Sequence, residues 1–186
     1  MHTPILEGGF ADKPVDAAHA FRAVMTAMAR PGDILDVTGA QPPAPLSIAA
    51  GALILTLWDP ETPVFLANSH NTAEIRNWIT FHTGAPLVDP RDAAFAIGTW
   101  NTLPVASFSR GTSEYPDRSA TLIIELNQLT NSGAVLRGPG IKDQAELSLP
   151  EADAFQENAR LFPLGLDFIF TSGARLAALP RSTKVS

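Results

Sequence analysis

The hydrophobic pattern of the chain centres on one stretch near its end, Phe162 to Thr171, FPLGLDFIFT. Pro163 and Gly165 interrupt whatever precedes it. Leu166, Phe168, Ile169 and Phe170 then form an apolar run that is short for a helix and suited to a buried strand. Asp167 is the one charge inside the run, and a carboxylate among apolar neighbours is costly unless it is paired. Thr171-Ser172-Gly173 reads as a turn and Leu176 to Pro180 as a returning strand. If the turn spans Ser172 to Arg175, Thr171 pairs with Leu176 and Asp167 lies opposite Pro180, with Arg181 next in line. Asp167 and Arg181 are therefore expected to form a structural ion pair, a clamp rather than a general base, with Arg137 as the rival partner if its strand is adjacent.

The rest of the chain alternates two periods. After an extended lead-in over residues 1–15, Asp16 is the expected N-cap of a helix at about 16–30. Phe21, Val24, Met25 and Met28 fall at i, i+3, i+4 and i+7 and predict its apolar stripe, with Ala17, Ala20, Ala23 and Ala27 allowing close packing. Pro31 and Gly32 stop it. A short strand is expected over Asp33 to Val37, then a proline-rich connection at residues 41–45. A second helix, about 47–58, is capped by Ser47 and apolar on nearly every side, so it belongs in the interior. A strand at 63–67, a helix from Asn71 or Thr72 to Thr83, and a strand at 93–98 follow. Residues 99–118 give only one or two helical turns between Leu103 and Phe108. Strands at 120–126 and 134–137, the Gly138-Pro139-Gly140 turn and a helix at about 150–160 lead into FPLGLDFIFT. This alternation predicts an α/β layered sandwich with a mostly parallel or mixed central sheet. The near-continuous apolar strands suit a sheet covered on both faces.

Composition narrows the function. A chain of 186 residues with 45% hydrophobic and 17% charged residues suits one domain, 1–186, with a real core. A net charge of −6 argues against binding nucleic-acid backbone. Cysteine is absent, which excludes disulfides, thiolate metal sites and thiol catalysis within the chain. No signal peptide is visible, and the apolar segment from Ile48 to Trp58 is about half the roughly 20 residues of a membrane span. The expectation is a cytoplasmic protein with no membrane and no nucleic-acid partner.

Catalytic signatures are missing. Neither a P-loop nor a Gly-x-Gly-x-x-Gly fingerprint occurs, and Ser107-Phe108-Ser109-Arg110-Gly111 lacks the leading Gly of a nucleophile elbow. His2, His19, His70 and His82 show no metal-ligand spacing. Lys13, Lys142 and Lys184 all lie outside apolar elements, which disfavours a Schiff base and pyridoxal phosphate. Two Arg-Gly clusters remain, Arg30-Pro31-Gly32 and Arg137-Gly138-Pro139-Gly140. Arginine beside a Gly-rich turn holds anions well, so Arg30, Arg137, Gly138 and Gly140, with His82, are candidate anion or subunit contacts. The plainer readings are a helix C-terminal cation for Arg30 and for His82, and a strand-end salt bridge for Arg137.

In order, the pieces GGF, AFRAVMTAMARPG, TPVFLA, FHTGAPLV, ATLIIEL, LRGPGI, FPLGLDFIF and LPRST resemble the PhnH family from about Gly8 onward. LRGPGI, FPLGLDFIF and LPRST are the most specific of them. The resemblance implies a subunit of the bacterial carbon–phosphorus lyase core complex. Its fold would be similar to a reduced pyridoxal-phosphate transferase domain without the cofactor. It also implies a homodimer that joins subunits G, I and J. That assembly is a transferase and lyase system that joins phosphonate to the ribose of ATP before the carbon–phosphorus bond is broken. No catalytic, cofactor or metal residue carries over. The alternatives are a stand-alone enzyme acting on a phosphorylated substrate through Arg137 and its turn, and a simple anion- or nucleotide-binding module.

Overall fold

The computed structural model describes residues 7–186; His2 and the opening of the lead-in lie outside them. Among the described residues there are four α-helices: α1 (Lys13–Ala29), α2 (Ile48–Leu57), α3 (Ala73–Thr83) and α4 (Ala152–Arg160). The strands are β1 (Leu35–Asp36), β2 (Val64–Leu66), β3 (Phe95–Gly98), β4 (Thr121–Glu125), β5 (Ala134–Arg137), β6 (Ala145–Leu147), β7 (Asp167–Ser172), β8 (Arg175–Leu179) and β9 (Lys184–Val185). Six strands form the main sheet in the order β1-β8-β7-β4-β3-β2, and β6-β5-β9 form a small antiparallel sheet. β2, β3, β4 and β7 run parallel, while β8 is antiparallel to β7 and to β1, so the main sheet is mixed, as the alternation implied.

Side-chain alternation sorts the strands onto two cores. Ile97, Ile123, Ile169 and Ala178 face α1, α2 and α3. Ala96, Leu122, Ile124, Phe168 and Phe170 face the other side, where Phe155 of α4 and Leu136, Leu147 and Val185 of the small sheet cover them. The second core is aromatic: the Phe155 ring meets Phe168 edge-on at 4.8 Å and tilts against Trp100 at 4.8 Å. Such pairs add about 0.5–1.5 kcal/mol beyond their buried area.

The first helix differs from expectation in two ways. It starts at Lys13, because Asp12 caps it by accepting the Val15 N–H, and Pro14 is harmless in the first turn, where no intrahelical donor is needed. Asp16, the expected cap, instead accepts the Asp12 N–H at 3.0 Å, closing a reciprocal capping arrangement. Of the expected stripe only Val24 is fully buried; Phe21 and Met25 are 49% and 53% exposed. Ala20 and Ala27 take the core side, because small side chains let α1 pack closely on its neighbours.

α2 is buried from Ala49 to Ile54, with Ser47 capping the Ala50 N–H. Thr72 caps α3, and Gly84 ends it in the left-handed region. The strand expected at 33–37 contracts to Leu35–Asp36, while Val37 N–H donates instead to the hairpin carbonyl of Ala174. Between β3 and β4 lie two 3₁₀ turns, Trp100–Thr102 and Val105–Ser107. β6 and β9 have no counterpart in the sequence pattern. They exist because β5 offers them two edges.

Candidate functional site

The lone charge of the central strand is answered by Arg181. Thr171 pairs with Leu176 and Ser172 with Arg175, leaving Gly173-Ala174 as the loop, so Asp167 falls opposite the β8 end. There Arg181 N–H donates to Oδ1 of Asp167 at 2.8 Å, Nε donates to both carboxylate oxygens at 3.2 Å, and Nη2 meets Oδ2 at 2.5 Å. The guanidinium is shared: Nη1 donates to the Pro116 carbonyl at 2.6 Å and Nη2 to Ser119 Oγ. One side chain thus ties the central strand, the 110–119 loop and the tail. Both partners are mostly buried, Arg181 at 15% and Asp167 at 17% exposed. Arg137 is excluded as the rival, since it belongs to the small sheet and donates to Gln144 Oε1 at 2.7 Å.

The two Arg-Gly clusters meet through their backbones. Gly140 has a φ of +82°, and a Cβ there would run into the carbonyl oxygen of Ala29 and press on Pro31. Gly32 has its hydrogen against Ala145 of β6, and Asn131 Nδ2 bridges the carbonyls of Gly32 and Glu146 at 2.5 and 3.1 Å. The small sheet is therefore seated on the α1 stop, and the glycines are needed for close approach. Arg30 and Arg137 are both exposed at this junction. His82 is not part of it. It lies at the end of α3, between Trp78 and Phe81, with Nε2 3.3 Å from the Glu7 carbonyl. Burial holds its imidazole below the usual range, opposed by the Glu7 carbonyl contact.

A second polar centre was not expected. Glu125 closes β4 just as Asp167 opens β7, as the lone charge of an apolar strand run. Its Oε1 accepts the Ser47 N–H at 2.7 Å and its Oε2 the Thr171 hydroxyl at 2.9 Å. Burial raises its carboxyl above the ordinary 4.5, while the hydrogen bonds from Ser47 and Thr171 oppose that shift. Beside it, His70 is 2% exposed and joined through Nδ1 to Ser69 Oγ at 2.8 Å. Its Nε2 has no partner, and burial holds the ring below 6.5. The charge of ATLIIEL was the signal in the sequence; His70 gave none, because its burial comes from a loop folding over the strand ends.

Among the described residues no three His, Asp or Glu side chains gather to hold a metal ion. Lys13, Lys142 and Lys184 are all exposed. These features define a mixed-sheet α/β protein with helices on one face, a helix and small sheet on the other, and two polar centres at opposite strand ends. The chain belongs to the PhnH family: the family described as bacterial phosphonate metabolism protein (PhnH) matches residues 8–186. It is 42% identical to the alpha-D-ribose 1-methylphosphonate 5-triphosphate synthase subunit PhnH of Rhizobium meliloti (strain 1021), covering 97% of this chain and 96% of that protein. It is 27% identical, over 97% and 96% of the two chains, to a Stutzerimonas stutzeri protein described as "Putative C-P lyase subunit protein HtxG".

Proposed function

We propose that this chain is an accessory subunit of a carbon–phosphorus lyase system. It serves the formation of ribose 1-phosphonate 5-triphosphate from ATP and a phosphonate, upstream of carbon–phosphorus bond cleavage. The observation that carries this reading is near full-length similarity to a protein named as a subunit of that synthase. Two further facts support a role without its own catalytic groups. The sequence has no cysteine, and the most tightly bonded charged pair, Asp167–Arg181, spends its hydrogen bonds on the chain's own loops.

The same reading extends to organisation. The chain acts as one domain, 1–186, in the cytoplasm, as a homodimer that joins subunits G, I and J. No helix among the described residues is long and apolar enough to cross a membrane. Phe21 and Met25, exposed on α1, support an apolar self-contact. The ancestry is that of a reduced pyridoxal-phosphate transferase domain without its cofactor, supported by the mixed sheet and by the exposure of every lysine. Arg30, Arg137 and the Gly138–Gly140 turn form a subunit contact on this view.

Affinity capture of the tagged chain from its native host tests the proposal. Recovery of three co-purifying subunits is expected. Turnover of a phosphorylated substrate by the purified chain alone would replace it with the stand-alone enzyme.

A further inference from the structure

The carboxyl ends of the parallel strands β2, β3, β4 and β7 open into a crevice of about 350 Å³. In open α/β sheets, ligands settle outside this edge of the strands, and the volume suits a small molecule. Each strand end contributes a polar group to the wall: His70 after β2, Thr99 after β3, Glu125 and Asn127 at β4, and Ser172 from β7. Ser47 at the start of α2 adds another.

Three observations select the ligand chemistry. First, Glu125 is met by the Ser47 N–H, the Thr171 hydroxyl and the Ser47 side chain, whereas an ionised carboxylate has about four acceptor sites. Among the described residues no Lys or Arg lines the crevice. Second, several of the donors that the helix start offers to an anion are taken. Ala49 N–H donates to the Gly173 carbonyl at 2.9 Å and Ala50 N–H to Ser47 Oγ at 3.1 Å. Glu125 itself accepts the Ser47 N–H. A phosphate would meet a carboxylate here and no cation. Third, His70 forms part of the wall but is 2% exposed, with Nε2 shielded from solvent, and burial holds the ring below 6.5, so it brings no positive charge to the crevice.

We propose that this crevice binds a neutral, hydroxyl-bearing molecule through Glu125, with a ligand hydroxyl donating to the carboxylate. The hydroxyls of Thr99 and Ser172 supply further donors and acceptors around the ligand. The neutral state of His70 keeps the wall free of positive charge that would attract anions. The site is separate from the Arg30–Arg137 junction and does not depend on the subunit reading.

Calorimetric titration and saturation-transfer NMR of the full chain test this, with methyl β-D-ribofuranoside as the hydroxyl-bearing probe and inorganic phosphate as the anionic comparator. The ribofuranoside is expected to saturate the protein, and phosphate to leave its affinity unchanged. Glu125→Gln should weaken the ribofuranoside about tenfold, the loss of roughly 1.4 kcal/mol expected for one charge-assisted bond. Asn127 is exposed, so Asn127→Arg should fold normally, place a cation against the carboxylate, weaken the ribofuranoside and create phosphate affinity. Urea midpoints of both variants separate lost binding from lost folding. Failure of the ribofuranoside to saturate the wild type, preferential binding of phosphate, or equal affinity in wild type and both variants would overturn the proposal.

Discussion

Arg181 and Asp167 are joined by four hydrogen bonds, one from the Arg181 backbone and three from its guanidinium. Removing either partner strands the other among Pro116, Ser119 and the β7 end. With both residues about five-sixths buried, the loss lies somewhat below the roughly 3–5 kcal/mol of a fully buried pair. Urea unfolding of Asp167→Asn, Arg181→Met and the double variant should show each single change costing about 2–3 kcal/mol, with a coupling above about 1 kcal/mol. Additive losses would remove the clamp. Unchanged stability with lost growth on phosphonate would make Asp167 a functional residue instead.

Two buried groups make stability depend on pH with opposite signs. His70 is held below 6.5 by burial, so the unfolded chain binds the extra proton. Its contribution is complete above 6.5 and is lost as pH falls below that value. Glu125 is raised above 4.5, so the folded chain holds the extra proton there. Its contribution is present at low pH and is lost as pH rises from 4.5 through the folded value. Unfolding free energies measured across these windows should show His70→Gln flattening the acid-side loss below 6.5. Glu125→Gln should flatten the decline above 4.5. A profile unchanged by either substitution refutes the assigned cause.

At the junction of α1 with the small sheet, backbone and side chain should separate cleanly. Gly140→Ala forces a methyl group onto the Ala29 carbonyl in a left-handed conformation, and should cost about 2–3 kcal/mol. Arg137→Ala removes an exposed side chain bonded to Gln144, and should change stability by less than about 0.5 kcal/mol. On the subunit reading, Arg137→Ala nonetheless impairs capture of partner subunits. Normal capture, or a large drop in its thermal midpoint, would make Arg137 a structural residue.

Self-association is checked by light scattering at micromolar protein. A dimer is expected, and replacing Phe21 and Met25 together by Ser should dissociate it if α1 is the contact. Both positions are about half exposed, so the substitution should leave the fold intact. A monomeric wild type contradicts the homodimer. A dimer indifferent to the change places its interface elsewhere.

Absorbance and borohydride trapping after incubation with pyridoxal phosphate provide the last check. No single lysine should be labelled, because Lys13, Lys142 and Lys184 are exposed and solvated. A Schiff-base band mapping to one of them would restore the cofactor reading.

The sequence by itself determined what depends on local pattern. Runs such as ATLIIEL and FPLGLDFIF point to buried strands, because they are short for helices and rich in β-branched or aromatic residues, with Pro163 and Gly165 breaking the chain before the second. Ser47, Thr72 and Gly84 set helix limits through caps that act within one turn. The register of β7 on β8 followed from a two-residue loop, and with it the meeting of Asp167 and Arg181. Tertiary structure decided the rest. Ala20 and Ala27, rather than Phe21 and Met25, face the core, because which side of α1 meets its neighbours is set by the tertiary packing and not by periodicity. β6 and β9, three and two residues long, form only because β5 offers them edges. The crevice around Glu125 and His70 draws on the ends of β2, β3, β4 and β7, which lie far apart in the chain. They become neighbours only through parallel pairing, a long-range choice that local sequence does not contain.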